Sequence, residues 1–360
     1  MISRRSFGFS ALAALTASCR QKTIPGYDVY IANEAGKTIA VVDLTSFSVT
    51  RHVALDDSPT AVIAVPERSR VYALAPKSGT VYEIDTGRAA LARSLKLGAS
   101  ISMRLSGNSL WVLGARSLTE IDLESFRSRV SIKLPLDAHD FDLSNNTGLA
   151  AAGFASSGSV SVIDLKTGSV GSPVKASDAI GPVRFRLDGK GLFVADTAHR
   201  QLCVMDAAAR TIVNLPLAVR PDTLCFNPDG GHLFITGEGR DAVVVIFPYY
   251  VPRIAETVLA GHAPGSMAAS ATNLFVANPK AGDVTILNIT KRKMIAVTAV
   301  GGEPGYIALT PDGNYALVLN RGSGDMAVIH AGPRKSRRPV DLLTIVPVGS
   351  RPVSAALMGV

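Results

Sequence analysis

The sequence predicts an all-β propeller of eight four-stranded antiparallel blades, and three observations lead to this prediction. A unit of roughly 41 residues repeats along the chain, glycines and prolines punctuate each unit at turn spacing, and the last segment completes the first unit. Apolar residues make up 47% of the 360 residues and charged residues 18%. This composition excludes disorder and provides material for the core of one all-β domain.

The repeat is clearest in a short apolar segment typified by residues 274–278, LFVAN. Its eight copies begin at Asp28, Val71, Leu110, Leu149, Leu192, Leu233, Leu274 and Ala316. An acid or its amide ends a later strand at Asp43, Asp85, Asp122, Asp164, Asp206 and Asn288. A proline opens a strand at Pro59, Pro182, Pro221, Pro264, Pro304 and Pro352. Markers that keep one phase over the whole chain indicate one repeated structural unit.

Each unit is predicted to contain four strands. The first begins at a proline, as in residues 304–309, and the turn Asp312-Gly313 leads to the second. A polar loop leads to the third strand, as in 283–288, and the fourth, as in 294–300, ends on two glycines. One twisted sheet of this kind cannot bury both of its faces, so the units have to stack around a ring.

The two ends of the chain predict how the ring closes. Residues 28–33 form a strand of the second type, and residues 352–358 form one of the first type. The C-terminal strand therefore pairs beside the three N-terminal strands and completes one shared blade, which also removes two sheet edges. This closure gives eight blades. Seven blades is the alternative, because the third and fourth units are the most degenerate.

The order of motifs over residues 181–315 resembles a known repeat. It runs Gly-x-x-Pro, apolar strand, Pro-Asp-Gly, LFVAN and a strand that ends in Asp or Asn. This order is similar to the YVTN-type propeller repeat of bacterial exported and surface-layer proteins, and weaker copies cover the rest of 28–360. The resemblance implies a propeller with a binding or scaffold role. Related propellers hold redox cofactors and one branch comprises lactonases, so the fold alone decides no function.

The first 19 residues are predicted to be an export signal. Arg4-Arg5 resembles a twin-arginine motif, and the apolar run 7–15 that follows is too short to span a bilayer. The run leads to a lipobox-like sequence ending at Cys19, which we expect to be lipidated and to become the mature N-terminus. The alternative is cleavage by an ordinary signal peptidase, which releases a secreted soluble protein.

The mature chain is predicted to consist of a tether, 20–26, and a single propeller domain, 27–360. Its expected location is the periplasm or cell envelope, where the lipid anchor holds it at the membrane. Cys203 and Cys225 lie in apolar strand segments without a neighbouring cysteine or histidine motif, which favours buried free thiols over a metal site or attached haem. A disulfide between the two is the alternative.

The formal net charge of +8 suggests anionic partners, but its distribution argues against nucleic acid. Basic residues cluster only at 291–293 and 334–338, and no aromatic residue interleaves with either cluster. A stacking platform for bases is therefore not predicted.

Acids that recur once per unit are interpreted as structural, because an Asp at a strand end caps the following turn. Polar residues that break the repeat are the better functional candidates. They lie in the loops at one mouth of the predicted channel. The predicted ligand-mouth residues are His199, Arg220, His262, Glu303 and Arg351, joined by the recurring amides Asn33, Asn278 and Asn320. Such a ring could hold an anion by charge-assisted hydrogen bonds. The alternative is a solvated mouth whose charges screen one another.

Two segments depart from the repeat elsewhere. Residues 247–252, FPYYVP, place two tyrosines between prolines at the outer edge, where they form either a partner contact or an edge blunted by prolines. The basic insert 332–339 lies on a turn of the opposite face, where it could touch anionic lipid.

No catalytic residue, metal ligand or cofactor is assigned, because the chain contains no Gly-x-Ser-x-Gly and no His-Glu-x-x-His motif. The prediction is an exported, lipid-anchored, monomeric binding or scaffold propeller. Its partner is an envelope protein or a small anionic ligand. The alternatives are an oxidoreductase accessory, in which His199, His262 and His139 hold a metal, haem or quinone at the mouth, and a lactonase-like hydrolase.

Overall fold

A computed structural model describes residues 26–330, 332 and 340–359. It shows eight four-stranded antiparallel sheets, so the prediction of an eight-bladed all-β propeller is confirmed and the seven-bladed alternative is wrong. The predicted export signal, Cys19 and most of the basic insert lie outside the described residues. Within those residues, no helix has the length and apolarity needed to cross a membrane.

The strands are numbered along the chain and grouped by blade. Blade 1 takes β1 (Tyr27–Asn33), β2 (Thr38–Asp43) and β3 (Ser48–Ala54). Blade 2 contains β4 (Ala61–Val65), a 3₁₀ turn (Pro66–Arg68), β5 (Arg70–Ala75), β6 (Thr80–Asp85) and β7 (Ala90–Lys96). Blade 3 contains β8 (Ser100–Ser106), β9 (Ser109–Gly114), β10 (Ser117–Asp122) and β11 (Arg127–Lys133). Blade 4 contains β12 (Asp140–Leu143), β13 (Leu149–Phe154), β14 (Ser159–Asp164) and β15 (Val174–Lys175).

The second half of the chain repeats this order. Blade 5 contains β16 (Ile180–Phe185), β17 (Gly191–Asp196), β18 (Gln201–Asp206) and β19 (Thr211–Pro216). Blade 6 contains β20 (Thr223–Phe226), β21 (Leu233–Thr236), β22 (Ala242–Phe247) and β23 (Arg253–Leu259). Blade 7 contains β24 (Met267–Ala269), β25 (Asn273–Asn278), β26 (Asp283–Asn288) and β27 (Lys293–Ala299). Blade 8 contains β28 (Pro304–Leu309), β29 (Tyr315–Asn320), β30 (Asp325–His330) and β31 (Asp341–Pro347), and β32 (Pro352–Gly359) returns to blade 1.

The ring closes between the two ends of the chain, as predicted. Strand β32 pairs antiparallel with β1, from Tyr27 opposite Gly359 to Ala32 opposite Ser354, and the sheet order is β3-β2-β1-β32. Each blade's innermost strand contacts that of the next blade, and the series ends with β28 against β32. These eight innermost strands surround the central channel.

Burial explains why the second strand of each blade is so apolar. It is packed against blades on both sides, and every residue of β17, β25 and β29 is buried. The hydrophobic clusters accordingly lie between blades rather than within one. Phe275 and Ile286 of blade 7, for example, share a cluster with Ile307 and Val318 of blade 8. The stacking of blades thus buries the faces that one sheet leaves open.

The recurring acids have the structural role that the repeat predicts. Asp164 accepts hydrogen bonds from the backbone N–H groups of Lys166 and Thr167, and Asp122 accepts one from Ser125. These backbone hydrogen bonds are the main reason why the pKa of each carboxyl lies below its usual value. The acids therefore cap the turn between the third and fourth strands.

Candidate functional site

The two mouth histidines that the sequence favours as a pair have separate partners in the structure. Nδ1 of His199 lies 3.0 Å from the carboxylate of Asp196, and its Nε2 lies 3.5 Å from Asp178. Nδ1 of His262 lies 3.0 Å from Asp241 instead, and its side chain is 63% exposed. Each histidine thus has a carboxylate partner of its own. Among the described residues, no group of three or more His, Cys, Asp or Glu side chains could hold a metal ion.

Two further predicted residues lie on the connections that enter an innermost strand. Glu303 and Arg351 both adopt left-handed backbone conformations, with φ of 56°. The Arg351 guanidinium lies 2.7 Å from Glu34, which follows β1 in the same blade. The two residues precede Pro304 and Pro352, so the Gly-x-x-Pro motif brings the chain to the channel mouth through a left-handed residue.

The three predicted asparagines are fully buried, so they present no side-chain atom to a ligand at the mouth. Nδ2 of Asn33 donates to the carbonyl of Val348, and Nδ2 of Asn320 donates to the carbonyl of Val300. Each acceptor directly follows the fourth strand of the preceding blade. We therefore assign these amides to the joints between blades.

A glycine completes each of these joints. An ideal Cβ placed on Gly261 would lie 2.3 Å from Nδ2 of Asn278. The corresponding distances are 2.6 Å from Gly301 to Asn320 and 2.5 Å from Gly349 to Asn33. Any side chain at these glycines would displace the amide. This contact explains the glycine of Gly-x-x-Pro.

Arg220 shares a mouth cavity with His139, the histidine that begins the approach to β12. The cavity has a volume of about 440 Å³ and spans blades 4, 5 and 6. Its polar side chains are those of His139, Thr197, Arg220 and Asp222, and residues 179–182 supply much of the remaining wall. Of the predicted mouth residues, Arg220 alone lines this cavity. We call it the mouth pocket.

The Arg220 guanidinium is oriented by two carboxylates. Its Nε and Nη2 donate to Asp222 at 2.7 and 3.2 Å, and its Nη1 lies 3.0 Å from Glu238. A guanidinium has five N–H donors, so these contacts leave two for a ligand. The side chain is 41% exposed. The fork is thus held in one orientation with donors still open to solvent.

A network of charged side chains lines the channel beside the mouth pocket. Nη1 of Arg184 on β16 lies 2.6 Å from Asp140 on β12, and Nε of Arg104 on β8 lies 3.7 Å from Asp142. The two carboxylates also accept the backbone N–H groups of Val183 and Phe185, at 3.0 and 2.9 Å. These acids therefore satisfy donors on the edge of a neighbouring blade, which an innermost strand otherwise leaves unpaired.

Burial raises the pKa of Asp142 despite the nearby Arg184 and Arg104. Desolvation of the carboxylate is the largest effect, and the two arginines and the N–H of Phe185 offset only part of it. This network was not predicted from the sequence. Its signal is the alternation Asp140-Phe141-Asp142, which places two acids on one side of a strand, but the partner on β16 becomes evident only once the ring is assembled.

Both remaining cysteines are free thiols, so the disulfide alternative is wrong. Cys203 is buried and Cys225 is partly buried. Burial raises the pKa of the Cys225 thiol to about 11. Neither thiol belongs to the mouth pocket.

No protein-family model matches the sequence, and a search of curated proteins finds no significant match. The YVTN-type assignment of the repeat therefore stays a prediction. Solved structures resemble the chain in fold. The dihydro-heme d1 dehydrogenase NirN in complex with DHE superposes with a TM-score of 0.75 at 14% identity, over 93% of this chain and 76% of that one.

Two other solved structures extend this comparison. AztD from Citrobacter koseri gives a TM-score of 0.71 at 12% identity, over 94% of this chain and 99% of its own. Hydrazine synthase from Kuenenia stuttgartiensis gives 0.58 at 19% identity, over 84% and 91%. At these identities the likeness shows the propeller fold and carries no function with it.

Proposed function

We propose that this chain is a non-catalytic binding protein that holds a small anionic molecule in the mouth pocket. The observation that carries the proposal is the Arg220 fork, oriented by Asp222 and Glu238 while it retains two N–H donors at the pocket. A preformed guanidinium suits a carboxylate or phosphate group, because its N–H groups can donate to the oxygens with little further loss of side-chain freedom. His139 supplies a second donor in the same cavity.

The side chains of the pocket favour binding over hydrolysis. Its lining residues include no serine or cysteine, and the hydroxyl of Thr197 donates to the carbonyl of Ala179 at 3.0 Å. A nucleophile needs a base within hydrogen-bonding reach, and His139 makes no side-chain hydrogen bond to any described residue. The lactonase-like alternative therefore has no support from this cavity.

A cofactor-binding role is the second candidate. NirN, which shares the fold over 76% of its chain, is a dihydro-heme d1 dehydrogenase described in complex with DHE. Here the support is His139, which lines the pocket, makes no side-chain hydrogen bond to a described residue and has an imidazole that can ligate a metal-containing group. The visible spectrum of the purified protein separates the two candidates, because a bound haem absorbs and a simple carboxylate does not.

The test of the principal proposal is calorimetric titration with citrate and, separately, inorganic phosphate. R220A should weaken binding of the active anion by about tenfold or more, the scale of one lost charge-assisted hydrogen bond. R210A is the control, because Arg210 lies on the turn between β18 and β19, at the end of blade 5 opposite the mouth pocket, is 81% exposed and pairs with Asp206. Equal affinities for wild type and R220A would refute the proposal.

We propose in addition that the protein is exported and anchored to the envelope through Cys19. The support is the sequence of the first 19 residues. Metabolic labelling with a radioactive fatty acid should mark the wild-type protein, and Cys19→Ala should abolish the label. Labelling that survives this substitution contradicts the anchor.

A further inference from the structure

Most of the exposed large apolar side chains lie on one side of the ring. In the part of the chain that the structure describes, ten of fourteen such residues lie on the outer edge of blades 6, 7 and 8. They are Tyr250, Val251, Ile254, Leu259, Met294, Ile295, Val297, Leu342, Leu343 and Ile345. A concentration of exposed apolar side chains is a feature of interaction surfaces.

The outer strands of blades 7 and 8 carry a charged residue only at their first position, whereas those of blades 1 to 3 also carry charge within the strand. The outer strands β3, β7 and β11 carry exposed arginines at Arg51, Arg93 and Arg129. Charged side chains on an edge strand prevent the addition of another strand or surface. Strand β27, in contrast, has one lysine at its start and then continues as MIAVTA. The outer edge of blades 7 and 8 therefore presents fewer charges to a partner surface than the outer edge of blades 1 to 3 does.

The loop between β22 and β23 forms a rigid apolar projection at this edge. Pro248 and Pro252 are buried, and the Tyr249 ring packs against Arg186, whose guanidinium carbon lies 4.9 Å from the ring centroid. Between these anchors Tyr250 is 100% exposed and Val251 is 72% exposed. Tyr250 also has φ of +60°, a conformation that costs free energy for a tyrosine. The exposed position of the Tyr250 ring is therefore combined with an unfavourable backbone conformation at the same residue.

The neighbouring turn of blade 7 is fastened to this projection. Arg292 lies 2.9 Å from Glu256 on β23, and both Arg292 and Arg253 lie over the ring of Phe247, at 6.0 and 5.3 Å. This contact holds the blade 7 turn that carries the exposed Lys291, Lys293 and Met294 against β23, the strand that follows the loop of Tyr250. We call these residues, together with Val251 and Arg253, the rim corner.

Three cations of the rim corner are uncompensated. Arg253, Lys291 and Lys293 are exposed and make no ion pair with a described residue. A second copy of this chain would bring like charges together, whereas an anionic bilayer surface attracts them. Tyrosine beside apolar residues and lysines is the combination that favours the headgroup region of a membrane.

We propose that the rim corner docks on an anionic lipid bilayer, with Tyr250, Val251 and Met294 inserted between headgroups and the three cations at the phosphate level. Attraction to the surface contributes about fivefold in affinity for each cation. This inference does not depend on the mouth pocket, whose residues lie in different loops. It also does not depend on Cys19, because the contact is formed by the propeller itself.

The test uses tryptophan as a local probe in the full chain carrying Cys19→Ala. Y250W places an indole at the rim corner, and the natural Trp111 is 4% exposed and gives a constant background. The control is I212W, at an exposed apolar position on β19 of blade 5 that lies outside the rim corner. Emission and acrylamide quenching are recorded with vesicles of phosphatidylcholine alone and with vesicles containing phosphatidylglycerol.

Phosphatidylglycerol vesicles should shift the Y250W emission to shorter wavelength and protect it from acrylamide, while I212W changes little. R253E/K291E/K293E in the Y250W background should reduce vesicle affinity by a hundredfold or more. Two results overturn the proposal. One is an unchanged Y250W spectrum with anionic vesicles, and the other is a blue shift that depends on protein concentration without vesicles, which assigns the rim corner to a second copy.

Discussion

Replacement of Gly261 by alanine tests the assignment of the buried asparagines to the blade joints. The backbone at Gly261 is not left-handed, so the effect of alanine there is steric. The new Cβ would lie 2.3 Å from Nδ2 of Asn278 and 3.0 Å from a carboxylate oxygen of Asp283. Because Asn278 is fully buried, its amide has no free space to enter, and overpacking of this kind costs about 2 to 3 kcal/mol.

The asparagine itself contributes through two hydrogen bonds. Nδ2 of Asn278 donates to Asp283 at 2.7 Å and to Thr285 at 2.9 Å. N278A removes both, at a cost of about 2 kcal/mol, and it also removes the atoms that the Gly261 methyl group would strike. The double variant G261A/N278A should therefore be less stable than N278A by no more than about 1 kcal/mol. The two effects are not additive, because they act on one contact.

The assay is urea unfolding of wild type, G261A, N278A and the double variant. Midpoints are converted into free energies when the fluorescence and circular-dichroism transitions coincide. G36A is the control, because a Cβ on Gly36 would meet its neighbours at an ordinary 3.5 Å. It should unfold within about 0.5 kcal/mol of wild type. Additive losses in G261A and N278A would show that the amide does not fill the space beside Gly261 and would refute the joint.

Three further predictions concern groups outside the joints. D142N should gain stability relative to wild type as pH rises through the pKa of Asp142, because a carboxyl with a raised pKa is most stabilising when protonated; urea midpoints measured from pH 4 to pH 8 check this. E83A should lower the free energy of unfolding by about 3 kcal/mol, since Glu83 is 2% exposed and is bound by Arg70 and Arg93; E83Q, which keeps the volume, should lose less in the same assay. Cys225 should resist a thiol reagent at pH 8 in the folded protein and react in urea, since its pKa is raised to about 11; a fast reaction in the folded state would contradict its burial.

The architecture was predictable because each strand assignment in one unit can be compared with the same position in the other units. A wrong strand assignment in one unit disagrees with seven others, so the proline, the apolar segment and the terminal acid identify blades even where single units are degenerate. Ring closure followed from the unpaired strand types at the two ends, and β32 beside β1 confirms it. The capping role of Asp164 and its counterparts followed from recurrence, because a residue that recurs in most blades has a structural role in the blade.

The site was harder to predict, because a ring brings together residues from distant segments. The sequence selects His199 and His262 for chemistry, but each lies beside an acid of its own, Asp196 and Asp241. His139 and Arg220 are 81 positions apart in number and nevertheless line one cavity. No spacing rule connects them, since their proximity depends on the angle between three consecutive blades.

The charged network between blades 4 and 5 holds together the part of the channel wall that adjoins the mouth pocket. An innermost strand leaves alternate N–H groups facing the channel, and Asp140 and Asp142 bind those of Val183 and Phe185. The two blades are therefore held together at the channel by charge-assisted hydrogen bonds as well as by apolar packing. His139 directly precedes Asp140, so the first wall of the mouth pocket is attached to the network. A ligand bound there would meet an Arg220 guanidinium already oriented by Asp222 and Glu238, so its binding would lose little free energy to ordering of that side chain.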